Sequence, residues 1–98
     1  MHLDELRDLM EATYGLQDTE RGIPATIAWL TEELGELAQA VRKGTREQQL
    51  HELGDVLAWV ASLAAQLDLS MDEAVHRYAD GCPKCARRPC ACGQRASG

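Results

Sequence analysis

Two short acidic motifs carry the clearest chemical signal in this sequence: Glu32-Glu33-Leu34-Gly35-Glu36 and Glu52-Leu53-Gly54-Asp55. Each motif places two carboxylates three residues apart, and on a helix that spacing puts both on one face, one turn apart. The motifs are mirrored about Gly44, with Glu33 matched to Asp55 and Glu36 matched to Glu52. An antiparallel helical hairpin that turns at Gly44 would therefore bring all four carboxylates together.

Such a cluster is unfavourable unless protons or a cation neutralise it. Two carboxylates ~4 Å apart repel by about 4 kcal/mol at an effective dielectric constant of ~20, so the cluster must take up protons or bind metal. Ligands that are all oxygen suit a hard cation such as Mg²⁺ or Mn²⁺. One such motif alone is usually a pair of solvated helix carboxylates, but two mirrored motifs favour a metal site made of Glu33, Glu36, Glu52 and Asp55.

The same residues resemble a known family signature. Glu-Glu-x-x-Glu, a gap of fifteen residues and then Glu-x-x-Asp is similar to the motif of the MazG-like nucleotide pyrophosphohydrolases, which belong to the all-α NTP pyrophosphatase superfamily. The resemblance extends from Arg21-Gly22-Ile23-Pro24 through Trp29-Leu30 to Gly54-Asp55-Val56-Leu57, and covers roughly residues 20–80.

The resemblance implies a fold and an activity. The fold is an all-α, four-helix MazG-like bundle. The activity is hydrolysis of canonical or aberrant nucleoside triphosphates, dependent on Mg²⁺ or Mn²⁺, to a nucleoside monophosphate and pyrophosphate. On this analogy the four paired carboxylates hold the metal and Glu32 orients the attacking water, so that the candidate catalytic residues are Glu32, Glu33, Glu36, Glu52 and Asp55.

Three other functions fit parts of the pattern. A phosphoribosyl-ATP pyrophosphohydrolase shares the superfamily and the chemistry, and testing that substrate beside dNTPs separates the two. A di-iron carboxylate protein would need Glu-x-x-His pairs, but Glu36 and Asp55 stand where those histidines would be. A non-enzymatic interaction module with a zinc-binding tail predicts no Mg²⁺-dependent hydrolysis of any nucleotide.

Aromatic and basic residues near the motifs are candidates for substrate binding. Trp29 and Trp59 are also mirrored about Gly44, one turn from the carboxylates, where an indole could stack on a base or simply fill the core. The basic residues at the predicted turn, which could neutralise a triphosphate or be solvated, are Arg42, Lys43 and Arg46. Arg21 has the same two interpretations, as a phosphate ligand or as a solvated loop residue.

All four cysteines lie close together near the C-terminus, at Cys82, Cys85, Cys90 and Cys92. Cys-x-x-Cys is a common half of a zinc site, although Cys-x-Cys is a tighter second half than in most zinc ribbons. Two disulfides are disfavoured in a reducing cytosol. We therefore predict a structural zinc, with a redox role or a metal-free tail as alternatives, and divide the chain into a helical domain (residues 1–80) and a Cys-rich tail (residues 81–98).

Apolar spacing and capping residues predict four helices. The first runs from Leu3 to about Tyr14 and stops at Gly15, with a loop over residues 15–24. The second runs from Pro24 to Arg42, the third starts at the capping box Thr45-Arg46-Glu47-Gln48, and a short fourth starts at Ser70 and ends at Gly81. The predicted core stripes are Ile27, Leu30, Leu34, Leu37 and Val41 in the second helix and Leu50, Leu53, Leu57, Val60 and Leu67 in the third.

Composition sets the remaining expectations. A chain of 98 residues allows one small domain that buries only a modest core by itself, so we predict completion of the bundle by a homodimer or homotetramer. Residues 1–80 carry sixteen acidic residues against six Lys or Arg, which argues against a general nucleic-acid-binding protein. No apolar run reaches the ~20 residues of a membrane span and no signal peptide opens the chain, so the expected location is the cytoplasm.

Overall fold

The computed structural model describes residues 1–93, which form an all-α fold as predicted. Its helices are α1 (Leu3–Arg21), α2 (Ile23–Lys43), α3 (Arg46–Gln66) and the short α4 (Met71–Val75), which continues into a 3₁₀ turn at His76–Tyr78. The central element is α3, because it packs along both α1 and α2, whereas α1 and α2 contact each other much less. The last five residues of the predicted tail, 94–98, lie outside the described residues.

Helix α1 is longer than predicted. Gly15 lies inside the helix instead of ending it, and the predicted loop over residues 15–24 is reduced to a break at Gly22, whose φ of +85° suits glycine. Two contacts hold the second half of the helix: Gln66 Nε2 donates to the carbonyl oxygen of Asp18 at 2.9 Å, and Arg21 pairs with the buried Asp18 carboxylate at 2.7 Å. The hydrogen bond from Gln66 is a tertiary contact, and such contacts override the cost of about 1 kcal/mol for a glycine inside a helix.

The turn between α2 and α3 is the predicted one. Thr45 Oγ1 accepts a hydrogen bond from the Gln48 N–H at 3.1 Å, and Gln48 Oε1 accepts one from the Thr45 N–H at 2.8 Å, so the capping box is confirmed. A Cβ on Gly44 would lie 2.8 Å from the Ala40 carbonyl oxygen and 2.8 Å from Gln48 Oε1, which leaves no room for a side chain. The turn therefore fixes the antiparallel hairpin that carries both acidic motifs.

The N-terminus of α4 is held by α1. Ser70 Oγ accepts from the Glu73 N–H at 3.0 Å, the cap that the sequence predicts. The Asp4 carboxylate in α1 accepts from the Ser70 hydroxyl and from the Met71 N–H, both at 2.6 Å. The Ser70 hydrogen bond is the main reason that the pKa of Asp4 lies below its ordinary value. This capping carboxylate joins the first and last helices.

The inward face of α2 is rotated by one position from the predicted core stripe. Leu30 and Leu37 are half-buried as predicted, but the other inward positions are Thr26, Glu33 and Ala40. The predicted core residues Ile27, Leu34 and Val41 are 48%, 49% and 63% exposed. The prediction was wrong because it kept the carboxylates off the inward stripe of α2, whereas Glu33 occupies an inward position.

The predicted core stripe of α3 is wrong for its leucines. Val60 is half-buried, but the leucines of the stripe are exposed: Leu50, Leu53, Leu57 and Leu67. The buried apolar residues of the described chain are mostly small: Ala40, Val56, Ala61, Ala64 and Met71. A single chain therefore has a thin core and leaves apolar stripes of α2 and α3 uncovered. Among the described residues, no helix combines the length and the apolar character needed to cross a membrane.

Candidate metal and nucleotide site

The four predicted carboxylates lie together between α2 and α3. Glu33, Glu36 and Glu52 each offer an oxygen, and these oxygens lie within 4.8 Å of one another. Asp55 adjoins this group through Glu52, because a carboxylate oxygen of Asp55 lies within 4.8 Å of a carboxylate oxygen of Glu52. The antiparallel hairpin about Gly44 thus brings the two acidic motifs level, as their mirrored spacing requires.

Two of the carboxylates have an oxygen that lacks a partner. Glu33 Oε2 and Glu52 Oε2 are buried and accept no hydrogen bond from the described residues. Burial raises the pKa of both glutamates, and the negative charges of Glu36 and Asp55 raise it further. Buried polar atoms are normally satisfied, so this donor set fits a cation that prefers oxygen ligands, such as Mg²⁺ or Mn²⁺.

His51 lies against the carboxylate cluster and was missed in the sequence. Its Nε2 atom is 3.4 Å from Asp55 Oδ2, one helical turn along α3, and with Glu52 the two residues form a group that could hold a metal ion. A protonated His51 would compete with a cation for Asp55, whereas the neutral imidazole would add a nitrogen ligand. The signal that could have identified it is the i, i+4 spacing of His51 and Asp55, which places both on one helix face.

A cleft of about 320 Å³ opens beside Asp55 and is lined by residues of α1 and α3 that include Tyr14 and Trp59. The guanidinium of Arg21 lies 4.8 Å from the centre of the Trp59 ring. Trp59 in turn stacks on Trp29, with ring centres 6.2 Å apart and planes inclined by 14°. The two tryptophans that the sequence analysis proposed for base stacking therefore stack on each other. Aromatic faces and a cation at one wall suit a planar base.

The interpretation of Arg21 as a solvated loop residue is wrong. Arg21 is the last residue of α1, and its side chain is only 21% exposed. It pairs with the buried Asp18 carboxylate at 2.7 Å and donates to Thr26 Oγ1 at 3.3 Å. These partners fix the guanidinium against Trp59. The i, i+3 spacing of Asp18 and Arg21 indicates their ion pair, but no local pattern in the sequence indicates the contact with Trp59.

A second cleft, of about 490 Å³, lies on the side of the carboxylates nearer the turn. Glu36, Glu52 and Lys43 are among its lining residues, so Lys43 is a predicted basic residue that adjoins the acidic cluster. The other predicted residues do not share this position. Arg42 and Arg46 are exposed and do not line the cleft. Glu32 is also exposed, and among the described residues it belongs neither to the group of Glu33, Glu36 and Glu52 nor to the group of His51, Glu52 and Asp55.

The four cysteines of the tail also come together. All are free, and their sulfurs lie within 4.8 Å of one another, so the tetrad could hold a metal ion. Hydrogen bonds from the Cys85 and Lys84 N–H groups are the main cause that lowers the pKa of Cys82 to about 6. Hydrogen bonding to Cys90 and to the other two sulfurs raises the pKa of Cys92 to about 12. The tail is therefore a second candidate metal centre, made of sulfur.

The MazG nucleotide pyrophosphohydrolase domain family matches residues 21–89, which is about two thirds of the chain and includes both acidic motifs. The chain belongs to this family. The match begins at the last residue of α1 and ends before Cys90 and Cys92. No curated protein matches the chain. Membership indicates a nucleotide pyrophosphohydrolase in general and a family that typically depends on a divalent metal.

Proposed function

We propose that this protein is a Mg²⁺-dependent enzyme that hydrolyses nucleoside triphosphates to nucleoside monophosphate and pyrophosphate. The observation that carries the proposal is the pair of buried carboxylate oxygens on Glu33 and Glu52 that have no hydrogen-bond partner among residues 1–93. They stand in a cluster of like charges, which is stable when a cation neutralises it. Family membership supplies the class of reaction, and the donor set supports Mg²⁺ or Mn²⁺ as the ion.

The carboxylates Glu33, Glu36, Glu52 and Asp55 would hold the metal. A bound Mg²⁺ polarises phosphate oxygens and lowers the pKa of a coordinated water. Lys43, in the cleft that Glu36 and Glu52 also line, is placed to neutralise phosphate charge. Arg42 and Arg46 stand near the same turn and would act on the phosphates at longer range. Glu32, which is exposed, remains the proposed group that orients the attacking water.

The cleft beside Asp55 is the proposed site for the nucleoside. Its wall contains Trp59, which is held between contacts with Arg21 and Trp29. Trp29 does not line this cleft, but it stacks on Trp59 and is 46% exposed, so it offers a further indole surface for a base that extends beyond the cleft. Because the cleft and the carboxylates share Asp55, a nucleoside bound there would lie next to the metal-binding oxygens.

The test is a screen of canonical and modified nucleoside triphosphates with the full chain, with and without Mg²⁺. We expect Mg²⁺-dependent release of pyrophosphate and the matching monophosphate, identified by chromatography of both products. Phosphoribosyl-ATP is included in the screen. Hydrolysis of that compound alone would assign the protein to the related pyrophosphohydrolase activity. No hydrolysis of any nucleotide would favour the interaction module and contradict the proposal.

We also propose that the chain acts as a homodimer in the cytosol, where free thiols persist. The uncovered stripes are Ile27, Leu34 and Val41 on α2 and Leu50, Leu53 and Leu57 on α3, spaced three, four and seven residues apart as in packed helices. Apart from the backbone of its own helix, no atom of the described residues lies within 4 Å of the position that a Cβ on Gly35 or Gly54 would take, so both glycines leave room for a second backbone. A second copy would thicken the core that one chain lacks.

Light scattering at micromolar concentration tests the dimer. Leu53→Glu places a charge on the exposed α3 stripe and should shift the protein toward monomer, whereas Glu47→Gln, an exposed change on the same helix, should leave the mass unchanged. A wild-type monomer, or an assembly that Leu53→Glu does not affect, would contradict the proposal.

A further inference from the structure

The cysteine tail brings four sulfurs into a compact cluster. Cys82 Sγ lies 3.8 Å from Cys92 Sγ, and Cys85 Sγ lies 3.9 Å from Cys90 Sγ. A tetrahedral zinc site with Zn–S bonds of about 2.3 Å has sulfur–sulfur edges of about 3.8 Å. A disulfide would need a sulfur separation of about 2.05 Å. The two measured separations match the edges of a metal tetrahedron and are far too long for disulfide bonds.

Backbone N–H groups point at these sulfurs. The Ala91 N–H donates to Cys85 Sγ at 3.4 Å, and the Cys92 N–H donates to Cys90 Sγ at 3.3 Å. Such donors stabilise negative charge on sulfur, and groups surrounding a metal site orient and tune its ligands in the same way. These N–H groups are an observation independent of the sulfur spacing, and both observations favour thiolate ligands.

The backbone closes the segment around the cluster. The Cys82 N–H donates to the Arg87 carbonyl at 3.2 Å, and the Ala86 N–H donates to the Cys82 carbonyl at 2.7 Å. Gly81 has a φ of +99°, and a Cβ there would lie 2.9 Å from the Arg87 carbonyl oxygen, so the position requires glycine. The four cysteines are thus held on one tight loop that starts at Gly81.

This loop has no apolar core to stabilise it. From residue 76 to residue 93 no described residue is buried. Ordering a backbone costs about 1–2 kcal/mol per residue, and a few hydrogen bonds at the surface do not offset that cost over such a length. A metal ion that binds only the folded arrangement does offset it, because its binding free energy is also folding free energy.

We propose that Cys82, Cys85, Cys90 and Cys92 bind one structural Zn²⁺ as four thiolates. Zinc with four protein ligands is closed to substrate, which is typical of structural and not catalytic sites. The complex would carry two negative charges, and Lys84, Arg87 and Arg88 in the same loop offset them. The site does not depend on the proposed hydrolysis. The family match ends at residue 89, before Cys90 and Cys92, so the complete tetrad is a feature of this chain beyond the matched domain.

The first test is the metal content of the purified full chain after exposure to a mixture of Zn²⁺, Mg²⁺ and Fe²⁺, measured by inductively coupled plasma mass spectrometry. We expect one zinc per chain. Replacing it with Co²⁺ should give the intense visible absorption of a tetrahedral cobalt–thiolate site. Stoichiometric iron, a chain without bound metal, or a chain whose thiols are found as disulfides under reducing purification would each overturn the proposal.

Matched serine variants locate the ligands. Cys90→Ser combined with Cys92→Ser should lose the zinc and the cobalt absorption, while the helical circular dichroism signal is kept. Ala91→Ser, between the same two cysteines, should keep both, because only its backbone N–H contacts a sulfur. Zinc that stays stoichiometric in the double variant would place the ion elsewhere and overturn the proposal.

Discussion

The carboxylate cluster and the cysteine tail are two candidate metal centres that depend on their surroundings in opposite ways. The carboxylates sit on two long helices that are joined by the Thr45–Gln48 capping box and packed along α1, and there the like charges are a cost. The cysteines sit on a loop that has N–H donors for sulfur but in which no described residue is buried. We infer that the first site binds metal on a scaffold already folded, and that the second site needs metal in order to fold.

The difference also separates the ions. Oxygen ligands select hard cations such as Mg²⁺, and thiolates select softer ions such as Zn²⁺. The two centres should therefore be loaded independently, and a change at one should leave occupancy of the other intact. Three predictions test this separation, in order of decreasing effect.

The largest effect should come from removing one carboxylate. Glu36→Gln or Asp55→Asn should lower Mg²⁺-dependent turnover by at least about 100-fold, the size seen when a group that stabilises the transition state is lost. The fold should be as stable as before or more stable without Mg²⁺, because a repulsive charge is gone. Steady-state kinetics and urea unfolding measure the two quantities.

The control for that experiment is Glu47→Gln, which removes an exposed carboxylate from the same helix. It should keep near-normal turnover. All three variants should keep one zinc per chain. Near-normal turnover in Glu36→Gln would show that the cluster is not the catalytic metal site.

A smaller effect on turnover should come from emptying the tail. The double variant Cys90→Ser with Cys92→Ser should keep hydrolysis within several-fold of wild type and keep its response to Mg²⁺. Limited proteolysis should cut the tail after residue 81 in this variant and in chelator-treated protein, but not in the zinc-loaded chain. Complete loss of turnover in a folded double variant would show that the two centres are coupled.

The smallest effect should be a pH dependence of stability without metal. Raised pKa values for Glu33 and Glu52 mean that the folded chain binds more protons than the unfolded chain between the ordinary carboxyl pKa of 4.5 and the raised values. The free energy of unfolding should therefore fall as pH rises through that window. Urea unfolding at a series of pH values measures the fall, which Mg²⁺ should reduce.

Asp4 should change the free energy of unfolding with pH in the opposite direction, so it serves as an internal control. Its lowered pKa contributes stability above 3.8 that is lost as pH falls through the lowered value. Glu33→Gln combined with Glu52→Gln should flatten the loss at higher pH, whereas Asp4→Asn should not. An unchanged loss of stability in the double glutamine variant would contradict the assignment.

Much of the hairpin could be predicted from the sequence, because its determinants are local. Thr45 and Gln48 form the capping box that their spacing predicts, and the carboxylates converge because they are mirrored about Gly44. The core face of α2 could not be predicted by assigning apolar residues inward and acidic residues outward. Glu33 breaks that rule, since it is acidic and yet occupies an inward position in the carboxylate cluster.

The rest required contacts between residues far apart in the chain. Helix α1 continues through Gly15 because Gln66, forty-eight residues away from Asp18, donates to its carbonyl oxygen. Arg21 reaches Trp59 only because that longer helix carries it there. Neither contact is indicated by local propensity or spacing, so the sequence analysis missed both the end of α1 and the position of Arg21 in the cleft beside Asp55.

The central claim is that the carboxylate cluster binds a divalent cation, and thermal unfolding of the zinc-loaded chain with increasing Mg²⁺ tests it most directly. At ten times the Kd, bound Mg²⁺ should add about 1.4 kcal/mol, which in a chain of this size raises Tm by roughly 6–10 °C. Glu36→Gln and Asp55→Asn should lose this shift, and Glu47→Gln should keep it. A wild-type Tm that does not respond to Mg²⁺, or an equal response in Glu36→Gln, would contradict the account.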